Sequence, residues 1–230
     1  TVGPVTDVRR QPLAAGENRV ELTVAVPEPD LWWPWSLGDQ PMHELAVSVL
    51  DASGAISDRR QRRIGLRRAA MHDWVLSING ERIMAKGARQ GPARALPATA
   101  DDALAAGDVA LALEAGLDLV RLEAHVGPPA FYDAADDAGL LIWQDLPLQG
   151  SYHRSIRARA LRQAREAVDL LAHHPSVAVW CAHDDPDGTG AAAPAGGAHL
   201  PTRAAASPLR RSVATSVPGW NRSVLDRALA

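Results

Sequence analysis

The run His174-Pro175-Ser176-Val177-Ala178-Val179-Trp180-Cys181-Ala182-His183-Asp184-Asp185-Pro186 carries more architectural information than any other stretch of the chain. Residues 177–182 have no charge and no polar alternation, which suits a parallel strand covered on both faces. The run then ends in a histidine and two adjacent carboxylates. The carboxyl ends of parallel strands are where α/β enzymes gather their titratable groups. His183, Asp184 and Asp185 are therefore candidate site residues.

Working back from this strand, residues 155–173 read as a helix, 140–143 as a strand, and 131–138 as a short helix stopped by Gly139. Residues 117–124 read as another strand. The helix before it is capped by Asp101 or Asp102 and ends at residues 114–115, with Gly116 placed as the left-handed residue after it. Ile78-Asn79-Gly80-Glu81 is a hairpin signal leading into a strand at residues 83–88. Strand and helix alternate from there on. Helices that cross back make successive strands parallel, as in a (β/α) barrel or an open doubly wound sheet.

Before residue 68 the pattern is different. Residues 20–26 and 44–50 alternate in strand fashion, Asp51-Ala52-Ser53-Gly54 is a turn, and a further run leads to Ile64. This reads as part of a β-sandwich. Leu31-Trp32-Trp33-Pro34-Trp35 places three tryptophans in a non-helical segment, which serves either as an aromatic plug between two domains or as a sugar-stacking surface. Arg59, Arg60, Arg62 and Arg63 read as a solvated strand face rather than a nucleic-acid patch.

Composition narrows the classes of function. A net charge of -3 over 230 residues gives no bias toward nucleic acid or anionic membrane. No apolar run approaches the roughly 18 residues of a spanning helix. Cys181 is the only cysteine, which rules out an intramolecular disulfide and reads as a packing thiol. No Gly-x-Gly-x-x-Gly or Walker-type loop is present, so no nucleotide cofactor is expected. His125, His173, His174 and His183 match no standard ligand spacing, so no metal is expected either. The chain opens on Thr1 with no signal-peptide pattern after it, which favours the cytoplasm over secretion on the chain as given and leaves the compartment otherwise open.

The strand ends supply the remaining clue: Arg89 and Gln90, then Arg121, Glu123 and His125, then Gln144 and Asp145, then His183, Asp184 and Asp185. Parallel strands direct these groups toward one rim. For Arg121 a structural ion pair with a strand-end carboxylate is the alternative to a binding role, and for Trp143 core packing is the alternative to stacking.

Several motifs taken together resemble glycoside hydrolase family 2, which includes β-mannosidases, β-galactosidases, β-glucuronidases and exo-β-glucosaminidases. They are Leu31-Trp32-Trp33-Pro34 with Gly38, Gln40-Pro41 and Glu44-Leu45, then Ile64-Gly65-Leu66-Arg67, then Ile78-Asn79-Gly80 with Lys86-Gly87-Ala88. Val120-Arg121, His125, Phe131-Tyr132-Asp133, Asp136, Gly139-Leu140-Leu141-Ile142-Trp143-Gln144-Asp145 and His174-Pro175-Ser176 follow in the same order. The resemblance implies the C-terminal part of an immunoglobulin-like sandwich at residues 1–67. After it, at residues 68–230, comes the first half of a (β/α)8 TIM barrel, comprising four βα units.

It also implies a retaining hydrolase of terminal β-linked sugars such as β-mannosides or β-galactosides. Asp185 stands at the general acid/base position, where the family has Glu, and Asp184 stands where the family has a hydroxyl-binding Asn. Arg121, His125, Trp143, Asp145 and His183 would shape the sugar subsite. The expected partner is a carbohydrate, with no nucleic acid and no membrane, and the oligomeric state is open. The family's nucleophile lies beyond the fourth strand, yet no glutamate follows Glu166. The chain is accordingly expected to stop short of the nucleophile and to be inactive alone. A non-catalytic carbohydrate-binding or scaffolding remnant is the alternative.

Overall fold

The computed structural model describes residues 1–92, 101–148 and 154–182 and the strand at 213–215. Ten strands and three α-helices fall within these residues and form three sheets.

The first sheet is an antiparallel hairpin of β1 (His43–Leu50) and β2 (Ile56–Ile64). Its turn is closed by Asp51, whose carboxylate accepts from the Ser53 amide, the Ser53 hydroxyl and the Ala55 amide at 2.8, 2.6 and 3.0 Å. These donors hold the Asp51 carboxyl below its usual range. The arginines of β2 are exposed, as expected of a solvated face. Residues 20–26 form no strand, contrary to the expectation from their alternation. Val20 and Leu22 stand 42% and 50% exposed, and an alternating pattern with no partner strand or apolar surface to cover has nothing to stabilise it.

The second sheet is an antiparallel meander of β3 (Ala69–His72), β4 (Val75–Ile78) and β5 (Glu81–Ile83). Asn79 and Gly80 make its second turn with φ of 52° and 95°, the left-handed pair that a two-residue hairpin requires. The Asn79 side chain also accepts from the Arg68 amide and donates to the Trp32 carbonyl. It thereby ties the turn to the tryptophan segment.

The third sheet holds the parallel strands β6 (Gly87–Gln90), β7 (Leu119–Leu122), β8 (Leu141–Asp145) and β9 (Val177–Cys181). An antiparallel strand, β10 (Val213–Thr215), lies beside β9 and was not foreseen from the sequence. The connections run through α1 (Asp102–Glu114), α2 (Pro129–Ala138) and α3 (Arg157–Leu171). Asp101 caps α1 by accepting from the Leu104 amide at 2.7 Å. Beyond that helix Gly116 takes φ 71°, and the Gly116 and Leu117 amides reach back to the Leu113 and Ala112 carbonyls.

Two expected strands come out shorter. The run at 83–88 divides between β5 and β6, because the Lys86 amide is taken by the buried Asp118 carboxylate instead of a strand partner, and Met84 is 90% exposed. The strand expected at 117–124 narrows to β7. Leu117 closes the helix before it, and Ala124 takes a left-handed φ of 53° after it.

Two apolar clusters flank the parallel sheet. On the helix side lie Val109, Phe131, Tyr132, Leu140, Ile142, Leu171 and Trp180. On the opposite face Leu119, Leu141 and Val179 pack with Trp32, Ala69, Leu76 and Ile78, so the meander and the tryptophan segment cover the amino-terminal part of that face. Burying each such aliphatic side chain contributes about 1.5–3 kcal/mol. Trp32 is fully buried and its indole N–H donates to the Asp136 carbonyl at 2.8 Å, which makes it the plug between layers. The nearby Arg63–Asp137 ion pair at 2.6 Å is more than half exposed on both sides and adds little by comparison.

Candidate functional site at the strand ends

Parallel register places Arg89, Arg121, Trp143 and Val179 side by side, with Gln90, Leu122, Gln144 and Trp180 in the next row. Paired residues point to the same face, and successive rows alternate. The first row shares the face of Leu119 and Leu141, away from the helices, beyond the part covered by the meander. Gln90 and Gln144 belong to the other face. Gln90 donates to Asp108 of α1 at 2.8 Å. Gln144 is fully buried, accepts from the Tyr132 hydroxyl at 2.6 Å and donates to the His125 carbonyl at 2.7 Å. The expected convergence of all the strand-end polar groups on one rim is thus corrected for these two, which fasten helices and a loop to the sheet.

Arg121 and Asp145 form the centre of the group that remains. Arg121 Nε lies 3.0 and 2.9 Å from the two Asp145 oxygens and Nη2 lies 2.7 Å from Oδ2. Asp145 is fully buried, whereas the Arg121 side chain is 21% exposed. The guanidinium also stands 5.3 Å from the Trp143 ring centroid, within cation–π range. Trp143 is half-buried, and its indole N–H, which is buried, has no acceptor among the described residues. Indole donors usually find a partner when buried, and among the described residues this one has none.

His125 lies on the segment after β7 with Nδ1 3.0 Å from the Glu123 carbonyl, and Glu123 pairs with Arg89 at 2.9 Å. The structure therefore brings Arg121, Trp143 and Asp145 together and positions His125 through the Gln144 bond to its carbonyl. His183, Asp184 and Asp185 lie outside the described residues.

A second polar cluster escaped the sequence reading as a site. Asp136 on α2 is buried, with one oxygen 2.7 Å from His174 Nδ1 and the other accepting from the Ser176 amide at 3.0 Å. Arg67 donates from Nε to the Pro175 carbonyl and from Nη2 to the Val177 carbonyl. Burial pushes the Arg67 guanidinium down to about 10, against the opposing pull of Asp136, and leaves it charged at neutral pH. Ligand atoms of Asp133, Asp136 and His174 lie within 4.8 Å of one another. Both Asp136 oxygens are already engaged, however, and the group reads as a braced hydrogen-bond pair. No local signal could reveal these contacts, since Arg67 reaches across 108 residues to Pro175.

The family model for Glycosyl hydrolases family 2 matches residues 4–67. A β-mannosidase B of Thermothelomyces thermophilus is 28% identical over 192 residues, covering 75% of this chain and 22% of that protein. An exo-β-D-glucosaminidase of Streptomyces avermitilis is 32% identical over 153 residues, covering 61% of this chain and 17% of that protein. Among solved structures, the β-D-mannosidase of Dictyoglomus thermophilum superposes with a TM-score of 0.60 at 25% identity, covering 66% of this chain and 20% of that one. The chain spans about a fifth of the length of these relatives. Sequence and structure both give the chain a family relationship, over part of its length, to the family 2 glycosyl hydrolases.

Proposed function

We propose that the chain is part of a retaining β-glycosidase acting on terminal β-linked sugars such as β-mannosides or β-galactosides. In this reading residues 1–67 belong to an immunoglobulin-like sandwich and residues 68–230 to the first half of a TIM barrel. The single observation that carries the functional reading is the Arg121–Trp143–Asp145 group. It combines a fixed cation, an aromatic face and a buried indole donor without an acceptor among the described residues, on the face of the parallel sheet opposite the helices, at its carboxyl end.

A sugar presents hydroxyl oxygens to accept hydrogen bonds and an apolar C–H face to lie on a ring. Asp145, doubly bound to Arg121 and sealed from water, is held too tightly to serve as nucleophile or acid. Its role is to fix the guanidinium plane above Trp143, so that the cation, the ring and the indole N–H keep a set geometry toward the substrate. Asp185 would protonate the departing glycosidic oxygen and later deprotonate water, with Asp184 and His183 beside it. The second carboxylate of a retaining pair stands about 5–5.5 Å from the first. No glutamate follows Glu166 here, so a glutamate nucleophile beyond the fourth strand would come from outside these 230 residues. A carbohydrate-binding remnant is the second reading, favoured by the Asp184-Asp185 pair standing where the resemblance expects Asn-Glu.

The test is hydrolysis of nitrophenyl β-mannoside, β-galactoside, β-glucuronide and β-glucosaminide by the longest polypeptide that the reading frame encodes, beside Asp185→Ala and Asp185→Glu. Turnover that falls about 100-fold or more in Asp185→Ala supports the acid role. Failure of all three forms on all four substrates contradicts catalysis and favours the binding reading.

A further inference from the structure

The pairing of β8 with β9 contains an irregularity. Ile142 pairs with Val177 and Trp143 with Val179, so Ala178 is an extra residue on β9. Such a bulge shifts the rest of a strand by one position. Because side chains alternate, closing it would turn every later residue of β9 to the opposite face. With the bulge in place, Cys181 pairs with Asp145.

Something must hold the register at that point, and the strand entry is gripped from two sides. The Arg67 guanidinium binds the carbonyls of Pro175 and Val177, immediately before the extra residue. Asp136 binds the amide of Ser176 between them. The backbone of Gly65 lies against the Pro175 ring so closely that an added Cβ would sit 2.5 Å from Pro175 Cγ. Arg67 and Gly65 lie on the segment joining the hairpin sheet to the meander, outside the parallel sheet altogether.

We infer that Arg67 is a positioning residue that pins the bulge at Ala178 and so fixes the register of β9 through Cys181. The segment between the first two sheets thereby sets which face the strand end presents. Any effect on turnover rests on the glycosidase reading, because Asp184 and Asp185 follow Cys181 closely in sequence, but the register effect does not.

Cys181 supplies the probe, being the only cysteine and 5% exposed. Its labelling by a thiol reagent would be timed in the wild-type chain and in Arg67→Met, Arg67→Lys and, as a control, Arg63→Met, which removes only the exposed pair with Asp137. Arg67→Met is expected to label at least about tenfold faster, at a rate independent of low urea, as local opening requires. Arg67→Lys keeps the charge without the fork and should fall between it and wild type, while Arg63→Met should match wild type. Wild-type labelling in both Arg67 variants overturns the inference. So does acceleration that tracks global unfolding in urea. Should Arg67→Met fail to fold, Arg67→Lys decides alone: accelerated, urea-independent labelling supports the inference and a wild-type rate overturns it. Faster labelling in a polypeptide that hydrolyses none of the four glycosides would leave the register role standing and count only against the glycosidase reading.

Discussion

Arg121 and Asp145, on neighbouring parallel strands, are joined through Nε to both carboxylate oxygens and through Nη2 to one of them, with the carboxylate fully buried. Removing one member of such a pair leaves a poorly solvated charge without compensation, which costs about 3–5 kcal/mol. Asp145→Ala should therefore lower stability in that range by urea titration, and Asp145→Leu combined with Arg121→Met should recover most of the loss. A single-site loss below about 1 kcal/mol would mean that the pair is solvated.

Trp143 calls for the opposite outcome in stability. Its buried indole N–H lacks an acceptor among the described residues, and an unmet buried donor costs about 1–3 kcal/mol. Trp143→Phe keeps a ring beneath Arg121 and removes the donor. The variant is expected to be at least as stable as wild type by thermal melting, which core tryptophans rarely allow.

Stability should also depend on pH through His173. Burial, then the neighbouring His174 and Arg62, lower its pKa from the usual value, while Asp136 and Asp133 raise it. The folded state then binds fewer protons than the unfolded state between the folded pKa and about 6.5, so stability is full above that window and declines as pH falls through it. Urea midpoints between pH 7.5 and 5 should fall in wild type, and His173→Gln should flatten the slope.

Gly139 ends α2 at φ 75°, and a Cβ there would lie 2.5 Å from the Trp35 amide nitrogen. Neither the backbone angle nor the space suits a side chain. Gly139→Ala should cost about 2 kcal/mol or more, against the few tenths expected at an unstrained exposed site.

The parallel units were legible because their signals are local. The apolar run of β9, the Asp101 cap, the glycines after α1 and α2 and the Asn79-Gly80 turn each act within a few residues, and the structure has them all. Residues 20–26 show the limit of the same logic, since alternation specifies a strand only where a partner exists. At the site, residue types pointed to Arg121, Trp143 and Asp145, but not to their mutual geometry. The sidedness of Gln90 and Gln144 depended on register, which only the paired strands reveal. The Arg67 and Asp136 contacts span 108 and 38 residues and left no mark on local pattern.

The most direct check is calorimetric binding of a non-hydrolysable nitrophenyl thio-β-mannoside to the longest polypeptide that the reading frame encodes, beside Trp143→Phe. The Arg121–Trp143–Asp145 reading predicts saturable binding by wild type and affinity about tenfold weaker in the variant, the equivalent of about 1.4 kcal/mol for one lost hydrogen bond. Equal affinity in the two proteins would contradict a role for the indole donor. Absence of binding to wild type, with the galactoside, glucuronide and glucosaminide analogues also silent, would contradict a carbohydrate site at these strand ends.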